Sequence, residues 1–131
     1  MRAPLLLALA SLAVAPFIGP AVAGDELDAL KGNARPVVVL SDSRDDPRVA
    51  KQISDLDHTG PELTNRNIKV LREANPGSAL RKSLGVGERG FAVVLVGKDG
   101  TVKKVWRDPV DPKQIFTVID AMPMRKDEMR G

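Results

Sequence analysis

Apolar runs and polar interruptions along the chain predict four strands. The run Pro36–Leu40 is continuous and rich in β-branched residues, which is typical of a strand buried on both faces. A second such run, Phe91–Val96, predicts a central strand, and Ile68–Arg72 predicts a strand between them in sequence. The Asp-Gly pair within Gly97–Gly100 is typical of a hairpin turn. A fourth strand, Thr101–Trp106, should therefore return antiparallel to the third.

Helix-start signals stand between and after these strands. Asp46 followed by proline predicts a helix over Pro47–Asp57, with its apolar residues on one face. Ser78 can cap a short helix that ends at Gly85, a residue suited to a left-handed helix end. Asp111 followed by proline predicts a last helix, which Pro123 ends.

The remaining segments are polar. Residues 24–34 are expected to form a lead-in with one possible helical turn, and residues 61–66 a polar connection. A polar C-terminal tail over residues 124–131 is expected to be frayed, which leaves residues 35–123 as the domain proper.

The order of the elements is β-α-β-α-β-β-α, which indicates an α/β fold with a mixed four-stranded sheet and helices on both faces. Helical crossovers predict that the first three strands are parallel. Val102 and Trp106 are expected to share the packed face of the sheet. This order of elements resembles the thioredoxin-like fold.

The N-terminus has the pattern of a secretory signal peptide over residues 1–23. Arg2 forms a positive n-region, Leu5–Ala15 is an apolar run, and Ala21-Val22-Ala23 has the small residues of a cleavage site. Cleavage after Ala23 would yield a protein exported to the periplasm or secreted. The alternative is an uncleaved N-terminal anchor.

Composition excludes whole classes of function. The chain has no cysteine, so thiol–disulfide exchange and cysteine peroxidase chemistry are excluded. It carries 20 Lys and Arg against 17 Asp and Glu, with the signs interleaved, which does not favour nucleic acid as a partner. No cofactor is indicated, and no membrane partner is expected after signal cleavage.

The candidate site is the corner, which we define as residues Ser41–Arg48. It follows the first strand, at the carboxyl end where open α/β sheets bind ligands. The candidate binding residues are Ser41, Asp42, Ser43, Arg44, Arg48 and, before the third strand, Arg89. Arginine and helix-start amides suit an anion or carboxylate. The plainer interpretation is that Asp45 and Asp46 cap the helix, while the residues before them form a solvated loop.

Catalytic chemistry finds little support in the corner. The spacing of Asp42, Asp45 and Asp46 does not match a calcium loop, so no metal site is predicted. His58 is the sole histidine and lies about a helix length from the serines, too far for a triad. Two alternatives stay open beside a non-catalytic module that binds a protein or small anion. One is a hydrolase that uses Asp42 or Asp45 in a deep pocket; the other is a purely structural envelope protein.

Three stretches of the chain carry a family resemblance. They are "DDPRVAKQ", "GFAVVLVGKDGTVK" and "IDAMPMRKDEM". They resemble the thioredoxin-like family named domain of unknown function 4174 over roughly Ala34 to Arg130. The resemblance implies an exported bacterial protein, with related domains in sushi-repeat extracellular proteins of animals. It implies no catalytic residues. The proline that thioredoxins place before the third strand is also missing here, where Arg89-Gly90-Phe91 stands.

Overall fold

The computed structural model describes residues 24–130, so the expected signal peptide lies outside the described residues. Six helices and four strands make up this part of the chain. In chain order they are α1 (Gly24–Leu30), β1 (Arg35–Leu40), α2 (Pro47–Asp57), α3 (Gly60–Asn65), β2 (Ile68–Glu73), α4 (Ala79–Leu84), β3 (Ala92–Val96), β4 (Val102–Trp106), α5 (Pro112–Asp120) and α6 (Pro123–Arg130). Within residues 24–130, no helix combines the length and the apolar character that crossing a bilayer requires.

The four strands form one mixed sheet in the order β2-β1-β3-β4. β1 pairs with β2 in parallel, and β3 pairs antiparallel with both β1 and β4. Val37–Leu40 therefore lies beside β3, with Val38 opposite Val94. The mixed four-stranded sheet predicted from the order of elements is confirmed.

The predicted direction of β3 is wrong, because β3 runs antiparallel to β1. A parallel third strand requires a crossover that carries the chain back along the sheet. The six-residue helix α4 spans only about 9 Å, roughly half the length of a six-residue strand. α4 by itself does not carry the chain back along the sheet, and the chain enters β3 at the end where β1 finishes, with Ala92 opposite Leu40.

The alternation predicted for β4 is interrupted by a bulge. Lys104 pairs with Leu95, but Val102 pairs with Val96, so Lys103 is an extra residue on β4. Trp106 packs against the core on one face of the sheet, whereas Val102 is exposed. The expectation that Val102 faces the packed side is therefore wrong.

Two apolar layers cover the sheet, one on each face. Val37 and Val39 of β1 point into the layer beneath α2, α3 and α5, while Val38 and Leu40 point into the layer beneath α1 and α4. All six residues of β1 are buried, as expected of a strand covered on both faces. Helices on both faces are thus confirmed.

The helix ends follow the predicted local chemistry. The carboxylates of Asp46 and Asp111 accept hydrogen bonds from the backbone N–H of the second residue of α2 and α5, and the Ser78 hydroxyl accepts from that of the third residue of α4. Gly85 ends α4 with φ 67°, and its N–H donates to the carbonyl of Arg81. Glycine suits this position because the backbone here is in the left-handed region.

Two segments expected to be irregular are helical. α2 ends at Asp57, ahead of the Gly60-Pro61 pair, and Pro61 fits the first turn of a new helix, α3. Residues expected to be a frayed tail form α6, which is held by charged side chains rather than by an apolar stripe. Arg35 of β1 donates to both carboxylate oxygens of Glu128, at 3.2 and 3.0 Å, and Lys98 donates to the same carboxylate at 2.7 Å.

A buried glutamine fixes the chain between β4 and α5. The Gln52 side chain donates to the carbonyl of Val110 at 3.0 Å and accepts from the N–H of Val110 at 2.7 Å. Both residues are buried. Val110 lies outside the strands and helices, so no backbone partner pairs its N–H and carbonyl. The Gln52 side-chain amide bonds to both groups, as the backbone of a neighbouring strand would.

Candidate functional site

The corner connects β1 to α2 and is held in shape by its own hydrogen bonds. The hydroxyl of Ser41 is buried and donates to the carbonyl of Ser43 at 2.8 Å, and the Ser43 hydroxyl accepts from the N–H of Asp45 at 3.1 Å. Such short-range bonds are typical of serine and aspartate turns. The Ser41 hydroxyl is therefore already hydrogen-bonded within the protein, and the Ser43 hydroxyl stabilises the turn.

Asp42 links the corner to the facing loop, which we define as residues Gly87–Gly90. Its Oδ1 accepts from the N–H of Gly90 at 2.8 Å. Beneath this bond lies the guanidinium of Arg81, which donates to the carbonyl of Gly90 at 2.6 Å and approaches Asp42 Oδ1 at 3.7 Å. Asp42 thus joins two loops that are 48 residues apart.

Arg48 is committed to its own helix end. Its Nε and Nη2 donate to the two carboxylate oxygens of Asp46, at 3.1 and 2.8 Å, and this contact holds the pKa of Asp46 below its usual value. The Arg48 guanidinium also lies over the Phe91 ring, 5.0 Å from its centroid. The capping interpretation of Asp46 is confirmed, while Asp45 is exposed and does not cap the helix.

Arg44 and Arg89, unlike Arg48, have side chains without a partner among the described residues. Both are exposed, and neither side chain forms an ion pair or a hydrogen bond with another described residue. Arg44 lies on the corner and Arg89 on the facing loop that Asp42 ties to it. The structure therefore places two free guanidinium groups on two loops that a hydrogen bond joins.

Two buried ionisable residues beneath the corner escaped the sequence analysis. Glu73 ends β2, and Arg81 lies on α4; they are 5% and 1% exposed. Burial raises the pKa of Glu73 and lowers that of Arg81. Among the described residues, Glu73 Oε2 and Arg81 Nε have no hydrogen-bond partner. Strand alternation is the signal that could have revealed Glu73, since it lies two residues after the buried Leu71.

Two cavities lie away from the corner. One, of about 440 Å³, is lined by the end of α2 and the start of α5, including His58 and Lys113. The other, of about 350 Å³, lies at the opposite end of the sheet, beside Arg35 and Met122. Neither is lined by Ser41–Asp46, and Asp42 is 43% exposed.

Other candidate groups have structural roles. Nδ1 of His58 lies 2.7 Å from the carbonyl of Ser54, as suits a residue at the end of α2. Phe116 is buried, with the Arg66 guanidinium 4.4 Å above its ring. Within residues 24–130, no three His, Asp or Glu side chains are grouped to hold a metal ion.

Solved structures with similar folds are distant in sequence. Thioredoxin peroxidase I of Plasmodium yoelii is 18% identical, with a TM-score of 0.53 over 82% of this chain and 86% of that one. The reduced 2-Cys peroxiredoxin of Plasmodium vivax is 16% identical, with a TM-score of 0.59 over 82% and 78%. The pneumococcal exposed lipoprotein thioredoxin from Streptococcus pneumoniae is 14% identical, with a TM-score of 0.52 over 78% and 97%. At these identities the similarity establishes the fold, and the fold is thioredoxin-like.

No curated protein matches the chain. The sequence profile described as Domain of unknown function (DUF4174) matches residues 26–128, from α1 to the last turns of α6. This match includes the corner, the facing loop and the helix that holds Glu128. The profile covers most of the chain, which has a thioredoxin-like sheet and no cysteine. The chain belongs to the DUF4174 family.

Proposed function

We propose that the protein is an exported, non-catalytic binding module that contacts a protein or a small anionic ligand through the corner and the facing loop. The observation that carries the proposal is the pair of exposed guanidinium groups, Arg44 and Arg89, on loops joined by Asp42. A guanidinium offers a planar fork of N–H donors that matches a carboxylate or a phosphate.

Preorganisation supports this role. A loop that is already ordered loses less conformational entropy when it binds, so more of the contact energy appears as affinity. The corner is ordered by the hydrogen bonds of Ser41, Ser43 and Asp42, and Arg81 ties down the facing loop from below. Arg48 is already paired with Asp46, so we assign the contacts with the partner to Arg44 and Arg89.

The hydrolase alternative would require a carboxylate in a deep pocket with an unoccupied oxygen aimed at substrate. Asp42 is exposed, accepts a hydrogen bond from Gly90 and lines neither of the two cavities described above. The absence of cysteine excludes thiol chemistry. These features favour a role through contact over a role in catalysis.

The test is affinity capture from the native periplasm with matched charge variants. The double variant Arg44→Ala/Arg89→Ala removes two exposed cations from the site. Lys69→Ala/Lys126→Ala removes two exposed cations on β2 and α6, away from the corner. We expect the first variant to lose a partner that the wild type and the second variant both retain.

Thermal unfolding of the three proteins is the control for folding. All four substituted residues are exposed, so each double variant should stay within about 1 kcal/mol of the wild type. Equal capture by all three proteins would contradict the assignment of the site. The absence of any captured partner would favour the purely structural role.

Export is tested independently of binding. We expect mass spectrometry of the protein from the periplasmic fraction to show an N-terminus at Gly24, because Ala21 and Ala23 are suited to signal peptidase. Replacing Ala23 with arginine should block this cleavage, whereas Ala10→Ser within the apolar run should not. An intact N-terminus on the membrane-bound wild type would instead indicate an anchor.

A further inference from the structure

The cavity at the end of the sheet opposite the corner has the features of a ligand site. It is lined by the β3–β4 turn on one side and by the junction of α5 and α6 on the other. Its volume, about 350 Å³, lies near the lower limit of about 300 Å³ for small-molecule sites. The residues that matter for the argument are Arg35, Lys98, Lys103, Met122, Pro123 and Met124.

Cations outnumber anions on the wall of this cavity. Arg35, Lys98 and Lys103 line it, and Asp99 is the one carboxylate among its lining residues. That carboxylate is already satisfied, since Asp99 accepts from Lys103 and from Thr101. Beside the wall, the Glu128 carboxylate pairs with both Arg35 and Lys98, so three cations meet two carboxylates in all. The one positive charge left over favours an anionic ligand.

Two of these cations keep N–H groups available. An ammonium has three donors. Lys98 uses one toward Asn67 Oδ1 and one toward Glu128, and Lys103 uses one toward Asp99 Oδ2. Their remaining N–H groups have no acceptor among the described residues. Glu128 shows that a carboxylate fits this end of the sheet, since both Arg35 and Lys98 hold it.

Apolar groups form the other part of the wall. Met122 and Met124 flank Pro123, and Met124 is half exposed. The stem of Lys103 crosses Gly97 so closely that a Cβ on that glycine would lie 2.5 Å from Lys103 Cε. Glycine at position 97 therefore allows Lys103 to lie against the turn. Methionine side chains adapt well to flexible apolar ligands.

We propose that this cavity binds an aliphatic monocarboxylate. The carboxylate of the ligand accepts hydrogen bonds from the free N–H groups of Lys98 and Lys103. The hydrocarbon chain of the ligand lies against Met122, Pro123 and Met124. The exposed ion pair between Lys103 and Asp99 contributes little to stability, so Lys103 can turn to the ligand at small cost. The site is separate from the corner and does not depend on the function proposed there.

Decanoate is the probe, and methionine methyl resonances in the NMR spectrum are the readout. Met122 and Met124 line the cavity, whereas Met129 is exposed and does not. We expect saturable shifts of the Met122 and Met124 signals and an unchanged Met129 signal. Equal shifts of all three, or no shift, would overturn the proposal.

Two comparison ligands and two variants separate the contributions of head and chain. Decanol lacks the charge and acetate lacks the chain, so both should bind more weakly than decanoate. Lys103→Gln should weaken decanoate binding about fivefold. Lys104→Gln, at an exposed neighbour that does not line the cavity, should leave it within about twofold. Decanol binding as tightly as decanoate, or equal effects of the two variants, would contradict recognition of a carboxylate.

Discussion

Replacing Glu128 with alanine is expected to lower the free energy of unfolding by about 3 kcal/mol. The Arg35 side chain is 1% exposed, and Glu128 is the carboxylate that neutralises it. Removing that carboxylate leaves a buried guanidinium without its counter-ion. The expected loss lies toward the lower end of the range for buried pairs, because Glu128 remains 25% exposed. Urea unfolding followed by the fluorescence of Trp106, the sole tryptophan, measures it.

Asp127→Ala is the matched control on the same helix. Asp127 pairs with Arg130, and both side chains are about two-thirds exposed or more. Its removal should change stability by no more than about 0.5 kcal/mol. Similar losses for the two variants would show that α6 is held by something other than the contact between Glu128 and Arg35.

Acid should weaken the same contact. Arg35 and Lys98 lower the pKa of Glu128 from 4.5 to about 2. A carboxylate with a lowered pKa in the folded state stabilises the protein fully above its unfolded pKa. That stabilisation is then lost as the pH falls from about 4.5 through about 2. Glu128→Gln should therefore show a smaller loss of stability over this range than the wild type.

Replacing Gln52 with leucine is expected to cost about 3 kcal/mol. Leucine keeps roughly the volume of the side chain but cannot bond to Val110. The N–H and carbonyl of Val110 would then stay buried without partners, at about 1–3 kcal/mol for each group. Urea unfolding gives the loss, and amide hydrogen exchange at Val110 shows where it arises.

Gln114→Leu is the control for this change. Gln114 lies exposed on α5, so the same substitution leaves no buried group unpaired. It should shift stability by less than about 0.5 kcal/mol and leave exchange at Val110 slow. A Gln52→Leu variant as stable as the wild type would mean that Val110 finds other partners.

Local chemistry explains why much of the fold could be predicted. Asp46, Ser78 and Asp111 cap helices through neighbours two or three residues away, so the sequence alone carries the signal. The apolar runs of β1 and β3 likewise follow from burial on both faces. These features depend on residues that are adjacent in the chain.

Features that depend on distant residues were missed. The direction of β3 depends on the end of the sheet at which the chain enters it, which the presence of a helix between β2 and β3 does not fix. α6 lacks an apolar stripe and is held through Arg35, which is 93 residues from Glu128. Gln52 meets Val110 across 58 residues. The spacing of hydrophobic residues along the chain does not predict contacts between polar side chains that are this far apart in sequence.

The place of the corner between β1 and α2 could be predicted, but not the contacts that its residues make. From the sequence, Ser41, Asp42, Ser43, Arg44 and Arg48 were binding candidates with nothing to rank them, while Asp45 and Asp46 were expected to cap the helix. The structure separates them, because Ser41, Asp42 and Arg48 have partners inside the protein, whereas Arg44 does not. Strand alternation could have revealed the buried Glu73, whereas the burial of Arg81 depends on the packing of α4.

The central claim is that this cysteine-free thioredoxin-like domain acts by contact through the corner and the facing loop. Backbone amide shifts in the NMR spectrum, recorded while the captured partner is added, test it most directly. The account predicts saturable shifts within residues 41–48 and 87–90, which Arg44→Ala/Arg89→Ala abolishes. Shifts confined to the opposite end of the sheet, around residues 97–100, or unaffected by the double variant, would contradict it.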